Sequence, residues 1–305
     1  MKYVYGPVPS RRMGLSLGVS PIPKKSCNYS CVYCQLGRTD RMTNQRELYF
    51  PLHEILGEVD DFLSVQVDYD VITIVGEGEP TLYRALGDLI IELKNRTEKP
   101  VAVITNGALL KDSHVRKELM WADIVLPTLD ATDEEMYRKI NRPHKTIPYT
   151  EVVGGLRRFS KYYEGQLWLE TMLVEGMNDS TEALYAYRKL LDTIRYDRLY
   201  INTPVRHPAE SWVKAVSPKK IEEAVRILEG VSIDMLVSTG FYSEKEDHLE
   251  AIMSIIKRHP MNQHEILGFL SSRHATDPEM YLKKLEGKGE VEKLSYKGYD
   301  TYRFR

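Results

Sequence analysis

Thiols are what this chain has least of. Its only three cysteines, Cys27, Cys31 and Cys34, fall within eight residues, and the 271 residues that follow contain no other. An odd number cannot pair completely within one chain, so a secreted disulfide scaffold is excluded. No run of about 18 apolar residues exists, and no transmembrane helix is predicted. The opening MKYVYGPVPSRR lacks the apolar core of about 7 to 15 residues that a secretory signal carries. Free thiols without a signal place the chain in a reducing cytoplasm. An excess of charge is missing too: 42 Lys and Arg stand against 44 Asp and Glu, a net charge of -2. That excludes a global polycation suited to nucleic acid, while leaving room for a local patch. There is no internal repeat and no low-complexity tract.

With 42% hydrophobic and 28% charged residues among 305, the chain reads as globular. Chains of this size typically bury about 75% of their unfolded surface, so no staple is needed to hold a core. Strand-like runs lie at Leu17-Val19, Val71-Gly76, Val101-Thr105, Ile124-Leu129, Leu167-Glu175, Arg198-Thr203 and Val231-Val237. They are rich in β-branched residues and largely continuous, as strands buried on both faces should be. Between them, apolar spacings of three and four predict helices at Leu52-Leu63, Leu86-Leu93, Asp112-Trp121, Tyr149-Tyr163, Thr181-Ile194 and Pro218-Leu228. Cap signals stand at Asp112, Ser180 and Ser217-Pro218. The alternation predicts an α/β fold: a parallel sheet with right-handed crossovers, as an open or closed (β/α) barrel.

Polar and glycine-containing segments gather where strands end: GEGEPT after Val71, NG after Val101, DAT after Ile124, GMND after Leu167 and PVRHP after Arg198. Barrel enzymes build their sites on that rim. Any one of these loops can be a plain turn; the set makes a coherent pocket. After residue 244 the pattern changes. Three short amphipathic helices, Leu249-Arg258, Asn262-Leu270 and Pro278-Leu285, precede two strand-like runs, Glu290-Ser295 and Asp300-Phe304, around a Lys297-Gly298 turn. This arrangement resembles a winged helix, which divides the chain into 1-244 and 245-305. From His248 onward, 10 Lys and Arg face 8 Asp and Glu, a faint basic excess. Nucleic-acid contact, peptide binding, dimerisation and structural capping all stay open for this segment.

The chemistry concentrates in Cys27-Asn-Tyr-Ser-Cys31-Val-Tyr-Cys34. Zinc would need a fourth ligand, and the nearest histidine, His53, is 19 residues past Cys34. A [4Fe-4S] cluster normally takes four cysteines, so three would leave one iron open to an external ligand.

CxxxCxxC with an aromatic before its last cysteine resembles the cluster loop of the radical S-adenosylmethionine (SAM) superfamily. The longer run GPVPSRRMGLSLGVSPIPKKSCNYSCVYCQLGRT is similar to the opening of its wyosine-synthase-like branch. The resemblance covers roughly residues 5 to 240. It implies a partial (β/α)6 barrel whose cluster is held by Cys27, Cys31 and Cys34, with the open iron chelating the amino and carboxylate groups of SAM. It also implies reductive cleavage of SAM to a 5′-deoxyadenosyl radical, fed by an electron donor such as ferredoxin or flavodoxin.

The same resemblance suggests site residues. Gly78 and Glu79 in Gly76-Glu77-Gly78-Glu79-Pro80 match the motif that holds the SAM amino group, although Glu77 departs from the double glycine. A carboxylate suits a short-range ammonium. Tyr33 matches an aromatic whose backbone contacts adenine. Thr105, Asn106 and Asp130 end the third and fourth strands, where ribose and carboxylate contacts lie, with Asp130 chosen for a ribose hydroxyl. Asn202 and Val205 resemble the segment lying against adenine. Arg11 and Arg12 suit an anionic substrate group or the SAM carboxylate, or form a structural pair. Arg142-Pro143-His144 and Arg206-His207-Pro208 follow rim elements and suit a substrate phosphate.

Because all three thiols belong to one cluster, none remains for a second. That argues against archaeal wyosine synthases and methylthiotransferases, both of which carry more cysteines. The expected function is radical SAM modification of RNA, tRNA in particular. Alternatives are action on a peptide, protein or small molecule, and a cluster-bearing DNA-binding regulator.

Overall fold

The computed structural model describes residues 1–65, 67–233, 241, 243, 245–257, 259–296 and 299–305. The chain opens with β1 (Val4–Ser10) and β2 (Gly14–Val19), an antiparallel pair with an irregularity between Tyr5 and Val8. Two minimal strands, β3 (Ser26–Cys27) and β4 (Arg41–Met42), pair in parallel. Strand–helix alternation then begins with α1 (Leu52–Ser64), β5 (Val71–Ile74), α2 (Leu86–Lys94), β6 (Val101–Thr105), α3 (Ser113–Leu119) and β7 (Ile124–Pro127). It continues through α4 (Glu134–Ile140), α5 (Tyr149–Tyr162), β8 (Gln166–Met172), α6 (Thr181–Leu191), β9 (Arg198–Asn202), α7 (Pro218–Leu228) and β10 (Val231–Ser232).

The main sheet runs β1-β2-β5-β6-β7-β8-β9-β10, parallel throughout from β2 onward. Adjacent residues of one strand face opposite sides, as a pleat requires. Ile72, Val101, Val103 and Val125 pack outward against the helices, while Val71, Ala102, Ile124 and Leu126 join Trp168, Tyr200 and Ile233 in a second cluster on the inner face. Every residue of β5 and of β7 is buried, which explains their unbroken apolar runs. The helices present one apolar stripe each; α1 buries Ile55, Leu56, Val59 and Phe62. The expected caps form: Asp112, Ser180 and Ser217 each accept a hydrogen bond from a first-turn amide.

Several elements were not expected. The β1 segment VYGPVPS contains one glycine and two prolines and reads as a loop, yet it forms a strand at the sheet edge. An edge strand hydrogen-bonds on one side only and tolerates the missing amide donors. The helix α4 is too short for its period to show, and Asp133 caps it. The last part of the Val231-Val237 run, the Lys297-Gly298 turn, Arg258 and Glu244 lie outside the described residues.

The C-terminal segment runs α8 (His248–Ile256), β11 (Met261–Asn262), α9 (Gln263–Ser272), α10 (Pro278–Glu286), β12 (Val291–Tyr296) and β13 (Tyr299–Phe304). Its strands form a separate antiparallel sheet, β11-β13-β12. Ile252, Ile255, Met261, Phe269, Leu270 and Tyr302 build a core of their own, into which Val8 of β1 also packs. The same face meets the cysteine loop. Lys24 Nζ donates to the Arg305 carbonyl at 3.2 Å, and Arg303 donates to the Gln35 carbonyl at 3.1 Å. No helix among the described residues is long and apolar enough to cross a membrane.

Candidate functional site

The cysteine loop leaves β3 at Cys27 and is closed at its base by the β3–β4 pairing. The Cys34 amide donates to the Cys31 carbonyl at 3.1 Å, and the Gly37 amide turns back onto the Cys34 carbonyl, also at 3.1 Å. Gly37 takes φ +88°, a conformation that favours glycine. Behind the loop, Val32 is fully buried with Ile140, Val174 and Val213. The buried carboxylate of Glu210 ties the loop down: Arg38 reaches it through two 2.9 Å bonds, Arg142 pairs with it, and its amide donates to the Val32 carbonyl. The two arginines hold the Glu210 carboxyl down at about 2.

All three cysteines are half-buried residues. Cys27 Sγ accepts from the Tyr29 amide at 3.4 Å and from the Asn106 side-chain amide at 3.6 Å. Cys31 Sγ accepts from the Asn141 side-chain amide at 3.6 Å. Donors of this kind tune thiolate sulfurs bound to iron. Their surroundings push all three thiols up, mainly through burial, with the carboxylate of Glu79 acting on Cys27 and that of Asp130 on Cys31. Bare thiolates are therefore disfavoured here, whereas a metal centre would hold them deprotonated. Among the described residues, no three His, Cys, Asp or Glu side chains converge as they would on a single ion. A cubane binds its ligands at separate corners, and a donor set of three thiols on one loop fits three of them.

Glu79 lies against this loop because two backbones meet closely. Its amide donates to the Ser26 carbonyl at 3.1 Å, and a Cβ on Gly78 would collide with that same carbonyl. The Glu79 side chain is 2% exposed. Its carboxylate accepts from the Thr81 amide (3.0 Å) and hydroxyl (2.5 Å), from the Thr105 hydroxyl (2.6 Å) and from the Asn106 amide (2.8 Å). Burial pushes its pKa up, and these donors offset only part of the shift. Asn106 then bonds Asn28 at 2.7 Å, so Cys27, Glu79, Thr105 and Asn106 form one network.

A second network surrounds Asp130. Its carboxylate accepts from the Tyr33 hydroxyl, from the Asn141 side chain at 2.6 Å and from the Met172 amide at 2.8 Å. Burial pushes Asp130 up to about 6 despite those donors. Through Asn141 and Tyr33 it braces both halves of the Cys31–Cys34 turn. Asn202, at the end of β9, donates to Glu170 at 3.1 Å, and Glu170 also pairs with Arg12. Val205 is exposed.

The sequence reading did not single out Asn28, Asn141 or Glu170. Asn28 lay inside the cysteine motif, and Asn141 stood directly before the noted Arg142. Glu170, charged within an apolar strand run, was the most visible signal of the three.

The fold and this thiol-rich rim define an iron–sulfur enzyme of the partial-barrel type. The family model of the radical SAM superfamily matches residues 22–187, and the chain belongs to that superfamily. It is an enzyme whose cofactors are a [4Fe-4S] cluster and SAM. A UPF0026 protein of Methanocaldococcus jannaschii is 32% identical over 99% of this chain and 96% of its own length. A protein of Brachyspira hyodysenteriae named GTPase Obg is 34% identical over 99% of this chain; this chain spans only 45% of that relative. Among solved structures, TYW1 with a lysine-pyruvate adduct bound superimposes with a TM-score of 0.52 at 20% identity, covering 72% of this chain and 74% of TYW1, a likeness of fold.

Proposed function

We propose that Cys27, Cys31 and Cys34 hold three irons of a single [4Fe-4S] cluster, and that the enzyme uses it to modify RNA, with tRNA the favoured class. The carrying observation is the joint network in which Asn106 bonds both the Cys27 sulfur and the Glu79 carboxylate. It puts the cluster loop and an acceptor for a cationic amino group side by side. A cluster held by these three cysteines would supply the one-electron reduction that cleaves SAM to methionine and a 5′-deoxyadenosyl radical for hydrogen abstraction.

The chain's own residues position and shield. Gly78 lets the Glu79 loop touch Ser26. Thr81, Thr105 and Asn106 favour the ionised form of Glu79 and fix it, so that its remaining lone pair can receive the SAM ammonium. Asp130 braces Tyr33 and Asn141 and so holds Cys31 and Cys34 in register. Asn202 and Val205 flank the adenosine end. Residues 245–305 act as a winged helix, with the helix–strand–helix–helix–hairpin order as support, and help to hold RNA. A small reduced ferredoxin or flavodoxin supplies the electron in the cytoplasm.

Reconstituted protein with dithionite and SAM should release 5′-deoxyadenosine. None from an intact cluster would sink the enzymatic reading of these residues. Co-purifying nucleic acid, or tRNA nucleosides differing between a deletion strain and its parent, tests the substrate. No RNA binding at low salt would move the reading to a peptide or small molecule.

A further inference from the structure

A cavity of about 220 Å³ lies between the N-terminal hairpin, the inner face of the sheet and the C-terminal segment. Asn202 and Val205, assigned above to the adenosine end of SAM, form one part of its wall, and the thiols and Glu79 do not line it. Three guanidinium groups line it, Arg11, Arg12 and Arg206, together with His259, and no Asp or Glu is among the described residues that line it. Gln35, next to Cys34, and Gly76, at the start of the Glu79 loop, form part of its wall. The cavity therefore abuts the cluster loop.

Its polar groups are fixed. Arg206 donates to Gln35 Oε1 at 3.0 Å, lies 3.5 Å from Glu265 and meets His259 Nε2 at 3.3 Å. A guanidinium has no acceptor, so Nε2 must accept and the imidazole hydrogen sits on Nδ1. That Nδ1 is buried and finds no partner in another described residue. Arg12 pairs with Glu170 through Nη1, and its buried Nε likewise has no partner among the described residues. Buried donors left unsatisfied are costly and uncommon. Burial disfavours the charge on Arg206, and the charges of Arg11 and Arg12 add to this; His259 is held neutral by burial and by Arg206. An anion in the cavity would offset the mutual repulsion of these three guanidinium groups.

We propose that this cavity is a binding site for an oxyanion group, phosphate or carboxylate, carried by the substrate and distinct from the carboxylate of SAM. Arg11, Arg12 and Arg206 supply the charge-assisted bonds, and His259 brings a donor from the C-terminal segment. The inference deepens the proposed function, since it rests on the chemistry occurring at the adjacent cysteine loop, but it does not require RNA. A guanidinium fork matches either oxyanion bidentately.

The test uses the full-length holoenzyme without reductant and with SAM saturating, so that no turnover occurs. Inorganic phosphate and acetate are titrated separately by calorimetry. The expected result is saturable binding of at least one of them at one site per chain. Tighter phosphate binding assigns a phosphorylated group, and tighter acetate binding a carboxylate. Arg206→Gln should weaken binding by about tenfold or more, as loss of a charge-assisted bond implies, and Arg206→Lys by less. Because Arg206 also meets Glu265, Arg11→Gln serves as a second variant with the same expected loss. Saturation by neither probe in the presence of SAM, or binding unchanged in both glutamine variants, would each overturn the proposal. Release of 5′-deoxyadenosine is measured separately under reduction, so failure of the radical reading and failure of the anion site are distinguishable.

Discussion

Gly78→Ala concentrates on one contact the whole site depends on. A Cβ there would overlap the Ser26 carbonyl oxygen and press on the Ile22 side chain at 2.9 Å. The oxygen cannot rotate away, because Ser26 pairs with β4 and its carbonyl also accepts the Glu79 amide. Overpacking against fixed backbone costs roughly 1–3 kcal/mol. Loss of the Glu79 bond adds roughly 1 kcal/mol. The total is about 2–4 kcal/mol, a large share of a typical stability of about 5–15 kcal/mol. At about 2.1 cal/mol/K per residue, a barrel of this size should melt about 4–8 °C lower. The displaced Ser26 is the neighbour of Cys27, so iron content after reconstitution should fall as well. Gly57→Ala is the matched control. Gly57 is an exposed position in α1 where a Cβ meets nothing within 4 Å. That change should be neutral or stabilise by about 0.5–1 kcal/mol. Thermal melts and iron-to-protein ratios of both variants decide the matter. If Gly78→Ala loads iron and melts like the parent, the close approach is not what positions the loop.

Cys31→Ala should abolish the charge-transfer absorbance of the reconstituted cluster; retention of full iron content would remove Cys31 from the ligand set. Glu79→Ala leaves the Thr81, Thr105 and Asn106 donors unpaired in a buried place. It should weaken SAM binding about tenfold or more and destabilise the fold by about 3 kcal/mol, whereas Glu79→Gln keeps part of the network and loses less. Unaltered SAM affinity in both variants would refute the role given to Glu79. Glu210 has a folded pKa of about 2 against an ordinary 4.5, so its contribution is full above that ordinary value and disappears as pH falls through the window toward about 2. At face value the shift is worth about 3 kcal/mol, but Arg38 is 71% exposed, and screening should leave about 1 kcal/mol. The stability gap between the parent and Glu210→Gln should therefore narrow on acidification, measured by denaturant titration; a gap constant with pH would contradict the ion-pair account.

Much of the barrel was legible because its strands are buried on both faces, and burial writes itself into unbroken β-branched runs. All seven expected strand runs correspond to strands within the described residues, from β2 to β10. The edge strand β1 was not legible, since its prolines obey the rules of an edge rather than of a sheet centre. The thiols were legible because eight residues suffice to state them. The residues that hold them were not. Asn106 reaches Cys27 across 79 positions, and Tyr33 reaches Asp130 across 97. Such pairs leave no local period, and asparagines at strand ends read equally well as turn formers.

The sequence alone determined the alternating architecture and the presence of three clustered thiols with no fourth, because both depend on spacing along the chain. Only the tertiary structure decided what surrounds those thiols. Glu79 is fixed beside Cys27 because donors from the ends of two strands converge on it, and an arginine-lined cavity exists because the N-terminal hairpin and His259 of the C-terminal segment close on the same barrel mouth. Electrostatic environments are set by distance through space, and folding sets those distances.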